Sequence, residues 1–131
     1  MELLKPTPSP LIDQWTKRKS CMNRFLESRL AVKLIDQVHL VDLDDIKYLS
    51  SDSNYTWINR LSSNALLASK TLKYYERLLV NKGFLRVHAG YIVNLNHVIG
   101  IEKTDGFGLA LGTGEVIPVS RTFKKQLFSE M

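Results

Sequence analysis

A group of polar and basic residues near the carboxyl end of the chain has the types and spacing needed to bind an anion. Ser120 is predicted to cap a short helix whose first residue is Arg121. Unpaired amides at a helix start attract phosphate, and a guanidinium group can donate two parallel hydrogen bonds to guanine O6 and N7. Lys124 and Lys125 follow one turn later and could contact a phosphate backbone. Each of these side chains could equally be a solvated residue on the helix surface.

Further residues could bind nucleic acid, and each also has a structural interpretation. The Asn54 amide can pair with adenine N6 and N7, but asparagine in a Ser/Asp-rich segment commonly holds a turn. Arg86 and His88 are two residues apart in an extended segment, so the strand period predicts that both face one side, toward phosphate. A histidine at a strand end can instead bond a neighbouring carbonyl. Tyr55 and Trp57 alternate on a strand and are predicted to pack against the core rather than stack on bases.

The composition argues against catalysis and against metal or cofactor binding. An enzyme needs convergent acid, base or nucleophilic groups, and no motif surrounds any of the three histidines. These scattered histidines and the single cysteine, Cys21, supply no pair with metal-ligand spacing. The four glycines between residues 106 and 114 lie in a predicted strand meander, so they lack the strand-to-helix geometry of a nucleotide loop. We therefore predict no enzyme activity, no metal and no cofactor.

The charge balance favours a polyanionic partner, because 18 Lys and Arg residues against 13 Asp and Glu residues give a formal net charge of +5. Cys21 cannot form an intramolecular disulfide, and no apolar stretch approaches the roughly 20 residues that span a bilayer. Residues 1–10 contain charges and three prolines where a secretion signal needs an apolar run. We expect a cytoplasmic location and no membrane association.

Short strands are predicted to position most of these residues. The chain has 131 residues, 44% of them hydrophobic, which is enough for one compact domain with an appendage. We predict that residues 1–28 form a proline-containing tail and an amphipathic helix over about 10–27, and that residues 29–131 form one domain. The apolar stripe of that helix consists of Leu11, Trp15, Met22, Phe25 and Leu26.

Within the domain, the period of the apolar residues predicts strands interrupted by one helix and followed by another. The predicted strands are 31–34, 38–41, 46–49, 55–61, 64–69, 84–88, 98–103, 107–111 and 115–119. Predicted turns lie at 35–37, 50–54, 105–106 and 112–114. Thr71 is predicted to cap the inserted helix and Ser120 the helix over 121–128. Residues 91–93 are assigned to the core, and Asn94 to a cap or turn.

Several stretches, in this order and spacing, resemble the LytTR DNA-binding domain over about residues 29–128. The stretches that carry the resemblance are DDIKYL at 44–49 leading to NY at 54–55, TLK at 71–73, GFLRVHAGYIVN at 83–94, and IPVSR at 117–121 with KK at 124–125. Several short patterns in the correct order are far more specific than any one of them.

The resemblance implies a mainly β (β-rich α+β) fold: an elongated arrangement of short antiparallel sheets with one helix inserted between strands, a short C-terminal helix and an N-terminal helical extension. It also implies a bacterial-type, response-regulator-like transcription regulator that binds specific double-stranded DNA by loops in successive major grooves. The residues carried over as base-contact candidates are Arg121, Asn54, Tyr55 and Ala89. The backbone-contact candidates are Arg86, His88, Gly90, Ser120, Lys124 and Lys125.

The Ala89–Gly90 pair departs from the family pattern, in which a longer polar or basic residue is common. This departure weakens any base contact from the middle loop and motivates an alternative function, a non-catalytic protein-interaction module or antagonist with a degraded DNA surface. A homodimer on repeated half-sites is a further expectation. The segment before Leu30 is too short for the phosphoacceptor domain often fused to the family, and its helix could either mediate self-association or pack on the sheet.

Overall fold

The computed structural model describes Cys21, residues 24–103 and residues 106–131. Strands dominate this part of the chain: β1 Arg29–Lys33, β2 Val38–Asp42, β3 Ile46–Asp52, β4 Tyr55–Arg60, β5 Leu66–Ala68, β6 Phe84–His88, β7 Tyr91–Asn94, β8 Val98–Glu102, β9 Gly108–Leu111 and β10 Val116–Pro118. The helices are α1 Leu72–Leu78 and α2 Arg121–Glu130, and 3-10 turns occupy Leu43–Asp45 and Leu95–His97. Residues 24–27 are also helical.

The strands form three antiparallel sheets, which confirms the predicted mainly β fold of short antiparallel sheets. β1 pairs with β2, and β8, β9 and β10 form a meander. The largest sheet has five strands in the order β5-β4-β3-β7-β6. No helix in the described residues is both long and apolar enough to cross a bilayer.

Two hydrophobic clusters contact the five-stranded sheet. The first includes Leu49 of β3 and Ile92 of β7 together with Leu72, Tyr75 and Leu79 of the α1 region. The second includes Val87 and Val93 with residues of β9 and β10, and α2 packs against it through Phe123 and Leu127. Neighbouring residues of β7 thus enter different clusters, because successive side chains of a strand point to opposite faces. The sheet is covered by α1 on one face and α2 on the other.

Local interactions explain where α1 begins and which face it buries. The Thr71 hydroxyl accepts a hydrogen bond from the Tyr74 amide at 3.3 Å, which confirms the predicted cap. Leu72, Tyr75 and Leu79 are buried at helical spacing, whereas Leu78 is exposed. The Tyr75 hydroxyl accepts a hydrogen bond from the Lys33 amide at 3.2 Å, so α1 also fixes the end of β1.

Asn94 is a cap, as predicted, and is also one of the most buried polar residues. Its Oδ1 accepts a hydrogen bond from the Asn96 amide at 3.0 Å. Its Nδ2 donates to the carbonyls of Leu43 and Ile46 at 3.2 and 2.9 Å. The side chain is only 1% exposed, and these bonds satisfy polar groups that burial would otherwise leave without water.

Three sequence-based expectations need correction or fall outside the described chain. Tyr55 does not pack in the core, because Thr56 and Ile58 take the inward positions of β4 and leave Tyr55 49% exposed and Trp57 only partly buried. The predicted loop at 50–54 is shorter, since β3 continues through Asp52. Leu11, Trp15 and Met22 of the predicted N-terminal helix, and Asp105 of a predicted turn, lie outside the described residues.

Candidate nucleic-acid interface

Two hairpin turns lie at the same end of the five-stranded sheet. The first turn, Ser53–Asn54, joins β3 to β4, and the second, Ala89–Gly90, joins β6 to β7. Because β3 and β7 are antiparallel neighbours, the end of β3 meets the start of β7, and the Ser51 amide donates to the Gly90 carbonyl at 2.9 Å. We call these the Asn54 turn and the middle turn.

The start of α2 reaches the same end of the sheet. The Ser120 amide donates to the carbonyl of Val87 at 2.8 Å, and Val87 directly precedes the last residue of β6. The junction of Ser120 and Arg121 therefore lies beside β6, next to the middle turn. We call the end that carries the two turns and this junction the loop end. Three segments that are 30 or more residues apart in sequence meet there through backbone hydrogen bonds.

Arg121 is exposed at the loop end and starts α2. The Ser120 hydroxyl accepts a hydrogen bond from the Phe123 amide at 3.1 Å, which confirms the predicted cap. Arg121, Lys124, Lys125 and Phe128 line one open groove. The first backbone amides of a helix have no acceptor within the helix. The start of α2 therefore combines the positive side chains of this groove with backbone N–H donors.

Lys124 and Lys125 are both exposed, and Lys124 also contacts a pair of aromatic rings. The Lys124 ammonium lies 4.9 Å from the centroid of the Phe107 ring, and Phe107 packs against Phe128 with ring centroids 5.1 Å apart. Lys124 is therefore held at the surface by an aromatic contact while its ammonium remains accessible.

Arg86 and His88 do not share a face, so that prediction is wrong. The pairing of β6 with β7 shifts register between them: Arg86 lies opposite Ile92, and His88 lies opposite Tyr91. Directly opposed residues of antiparallel strands share a face, and Ile92 and Tyr91 point to opposite faces. A β-bulge inserts one residue and so breaks the period of two on which the prediction depended.

The Arg86 guanidinium makes two contacts that fix the middle turn. Its Nη1 lies 3.0 Å from Glu76 Oε1 of α1, and its Nη2 donates to the Ala89 carbonyl at 2.6 Å. Both terminal nitrogens thus make contacts within the chain. The side chain connects α1 to the tip of the middle turn.

His88 also fixes the middle turn, through one ring nitrogen. Its Nδ1 lies 3.0 Å from the Gly90 amide, which can only donate, so Nδ1 accepts and the neutral ring carries its hydrogen on Nε2. The ring packs edge-on against Tyr91 with centroids 5.6 Å apart. Nε2–H is therefore the ring's remaining donor, on the face of the sheet that Tyr91 occupies.

Gly90 is closely packed at the loop end. A Cβ at this position would lie 3.2 Å from the Ser51 hydroxyl and 3.7 Å from His88 Nδ1. The small residue lets the middle turn approach β3 closely enough for the Ser51–Gly90 hydrogen bond. The structure thus offers a packing reason for a glycine where the sequence comparison suggested only a missing side chain.

Asn54 and Tyr55 are exposed at the Asn54 turn. Ser53 adopts a positive φ of 55°, a conformation that polar turn residues tolerate. Next to them, the Trp57 indole donates to an Asp52 carboxylate oxygen at 3.1 Å, which closes the hairpin by a side-chain bond. Sequence reasoning did not select Asp52 or Ser51, because both act through cross-strand partners that only the register reveals.

Comparisons with known proteins agree with this geometry. The family model of the LytTr DNA-binding domain matches residues 36–131. A solved LytTr DNA-binding domain, from a putative methyl-accepting/DNA response regulator of Bacillus cereus, superposes with a TM-score of 0.65 and 28% identity, covering 78% of this chain and 94% of that chain. This match confirms the LytTR-type arrangement of sheets.

Two curated bacterial relatives are longer than this chain. Sensory transduction protein LytT of Bacillus subtilis (strain 168) is 27% identical over 137 residues, which cover 95% of this chain and 56% of that protein. CO-responsive transcriptional regulator RcoM of Rhodospirillum rubrum is 30% identical over 96 residues, which cover 71% of this chain and 40% of that protein. The chain thus spans between 40% and 56% of the length of these relatives. Because the family model covers most of its residues and the fold agrees, the chain belongs to the LytTR DNA-binding domain family.

Proposed function

We propose that this chain binds specific double-stranded DNA through the loop end and acts as a transcription regulator. The observation that carries the proposal is the convergence of the Asn54 turn, the middle turn and the Ser120–Arg121 junction at one end of one sheet. That end presents exposed basic and hydrogen-bonding side chains, which are the groups that contact duplex backbones and base edges. The family match and the regulators among the relatives support the same function.

The Asn54 turn and the Ser120–Arg121 junction lie on either side of the middle turn, and we call them the two outer segments. Their exposed side chains are the proposed base readers. Arg121 would donate both arms of its guanidinium to guanine O6 and N7, and Asn54 would pair with adenine N6 and N7. Tyr55, exposed beside Asn54, would make an apolar contact with a base. Ala89 at the tip of the middle turn offers van der Waals contact only.

Backbone contacts are proposed for the residues around them. Ser120, Lys124 and Lys125 lie at the start of α2, where phosphate is favoured by charge and by free amides. His88 would donate Nε2–H to a phosphate oxygen, and Gly90 allows the strand to approach closely. Arg86 acts differently: because its guanidinium holds Glu76 and the Ala89 carbonyl, we propose that it positions the middle turn.

The order of the strands supports contact with more than one groove. The Asn54 turn lies between β4 and β3 and the middle turn between β7 and β6, with Ser120 beside β6. With strands about 4.8 Å apart, the Asn54 turn and the Ser120 junction are separated by roughly 15 Å. Successive major grooves lie about 34 Å apart centre to centre, so we propose that the two outer segments enter them at the edges that flank the minor groove, which the middle turn would face. A bend of the duplex toward the protein would bring the two major grooves closer to the Asn54 turn and the Ser120–Arg121 junction.

We also propose a cytoplasmic location and a homodimer on repeated half-sites. Phe25 and Leu26 are 39% and 45% exposed, so the segment before β1 presents apolar surface available for a second copy. In this proposal residues 1–28 associate and residues 29–131 bind DNA. The mass in solution of the chain with and without residues 1–28 tests it, and an unchanged association state after deletion would contradict the role of the segment.

Selection from a random duplex pool, followed by a salt titration, tests DNA binding. We expect enrichment of one sequence and a linear fall of log affinity with log salt concentration, because phosphate contacts release counterions. A chain that enriches no sequence and binds no duplex at low salt would contradict the proposal. That outcome would favour the alternative, a protein-interaction module in which the short Ala89–Gly90 tip marks a degraded DNA surface.

A further inference from the structure

A pair of lysines beside the Asn54 turn takes no part in the contacts proposed so far. Lys33 ends β1, and Lys70 follows β5. The Lys33 ammonium lies 5.3 Å from the centroid of the Tyr74 ring, and the Lys70 ammonium lies 5.5 Å from the same centroid. Two cations, one at the end of β1 and one between β5 and α1, therefore converge on one aromatic ring in the first turn of α1.

Hydrogen bonds place this pair at the loop end. The Ser69 amide and hydroxyl donate to the Lys33 carbonyl at 2.8 and 3.1 Å, which joins β1 to the end of β5. The Thr56 hydroxyl donates to the Lys70 carbonyl at 2.9 Å, and Thr56 is the second residue after Asn54. Since neighbouring strands are about 4.8 Å apart, the backbone of Lys70 lies within roughly 10 Å of the Asn54 turn.

The pair is an uncompensated concentration of positive charge. Ion pairs among the described side chains join Arg29 to Asp42, Lys47 to Glu115 and Arg86 to Glu76, and neither lysine belongs to them. The neighbouring Tyr74 hydroxyl raises the pKa of Lys33, which favours the charged form of its ammonium group. Both ammonium groups lie within 5.5 Å of one ring centroid, so their charges repel, and an anion bound by both would reduce this cost.

We propose that Lys33 and Lys70 bind the phosphate backbone of the same duplex, on the outer side of the Asn54 turn, with Tyr74 holding both ammonium groups in place. The bound stretch of DNA then extends beyond the three segments of the loop end. This inference rests on the proposed function, because it adds a fourth contact to the duplex that the loop end reads. It predicts contacts that strengthen binding to every sequence without changing base preference.

The test compares two double variants on a duplex that the unmodified chain has selected from a random pool. Lys33→Gln with Lys70→Gln removes the pair, and Arg77→Gln with Lys82→Gln removes two charges from the opposite end of the sheet, where α1 ends and β6 begins. Affinity is measured by fluorescence anisotropy over a range of salt concentrations. We expect the first variant to lower the slope of log affinity against log salt by about 1–2 and the control to leave it unchanged. Lys33→Arg with Lys70→Arg should restore the slope.

Further measurements separate loss of contact from loss of structure. Lys70→Gln alone leaves the Lys33 ammonium beside the Tyr74 ring and should lower the slope by about 1. A shorter duplex that lacks the base pairs beyond the Asn54 turn should also lose the lysine contacts. The affinity of the unmodified chain for it should fall to that of the Lys33/Lys70 variant for the full duplex. A wild-type slope in that variant, or an equal fall in the control, would overturn the inference. If the unmodified chain binds no duplex, the proposed function fails as well. If it binds and the Lys33/Lys70 variant has the same salt slope as the unmodified chain, the inference alone fails.

Discussion

The Gly90 amide donates to Nδ1 of His88 at 3.0 Å, and this one contact settles the tautomer of the histidine. Because Nδ1 accepts, the neutral ring carries its hydrogen on Nε2 and presents a donor at the loop end. One side chain thereby supports the middle turn with its inner nitrogen and offers its outer nitrogen to a ligand. The two roles can be separated by substitution.

For His88, asparagine and glutamine imitate different halves of the ring. His88→Asn can keep an acceptor near the position of Nδ1 but loses the outer donor, whereas His88→Gln can place an amide donor near Nε2. If the outer donor contacts DNA, His88→Gln should bind the selected duplex more tightly than His88→Asn, while both keep the thermal midpoint within a few degrees. Anisotropy titrations and thermal melts measure this. Equal affinities would show that His88 only supports the turn.

Arg121→Ala should cost about 1–3 kcal/mol of binding free energy at the selected site and relax preference at one base position. Arg121→Lys keeps the charge but not the planar fork, so it should retain much of the affinity for random duplex while losing the same base preference. Repeating the site selection with each variant gives the measurement. Unchanged preference in Arg121→Ala would remove this residue from the base readers.

Arg86→Gln distinguishes a positioning role from a phosphate contact. If Arg86 holds the Ala89 carbonyl, its loss should weaken binding while leaving the salt slope unchanged, whereas loss of a phosphate contact would lower that slope by about 1. The Arg86–Glu76 pair is partly exposed, so unfolding free energy should fall by only about 0–1 kcal/mol. Arg29→Gln breaks the exposed pair with Asp42 at the far end of β1 and serves as the control, with no expected effect on DNA binding.

Gly108→Ala should destabilise the meander of β8, β9 and β10. A Cβ there would lie 2.5 Å from Val116 Cγ1 and 3.0 Å from the Ile117 carbonyl oxygen, so β10 would have to shift. Overpacking of this kind costs about 1–3 kcal/mol. Gly100→Ala is the matched control in the same sheet, because a Cβ there meets nothing within 4 Å. Thermal melts that give both variants the same midpoint would contradict this prediction.

Stability in acid should depend on the pair formed by Lys47 and Glu115, whose charged groups lie 2.5 Å apart. The hydrogen bond from Lys47, followed by that from Thr113, lowers the pKa of Glu115 from its usual 4.5. A lowered folded-state pKa means that the stabilisation is present above about pH 4.5 and is lost as pH falls through the lowered value.

Lys47→Met should therefore reduce unfolding free energy at neutral pH by about 0–1 kcal/mol and flatten the loss of stability below pH 4.5. Lys82→Met is the control, since the Lys82 ammonium hydrogen-bonds the Glu27 carbonyl rather than a carboxylate. Urea denaturation at several pH values measures both. If the unfolding free energy of Lys47→Met falls below pH 4.5 as steeply as that of the unmodified chain, the pair with Glu115 does not contribute to stability in acid.

The amino-acid sequence determined the local elements, because these depend on neighbouring residues. Thr71 and Ser120 cap helices by bonds to amides three residues later, and the alternation of apolar residues defines most strands. The motifs that resemble the LytTR domain also identified the three loops, since their order and spacing are properties of the chain itself.

Only the tertiary structure decided which side chains face the same way and which segments meet. Arg86 and His88 separated because a bulge depends on the partner strand β7, and Tyr55 reached the surface because the register of β4 turned Thr56 inward. Lys33 reached Lys70 and Tyr74 through hydrogen bonds between Lys33 and Ser69, which lie 36 residues apart and which no local pattern encodes. The physical reason is that strand order and register arise from contacts between residues far apart in the chain, whereas capping and periodicity arise within a few residues.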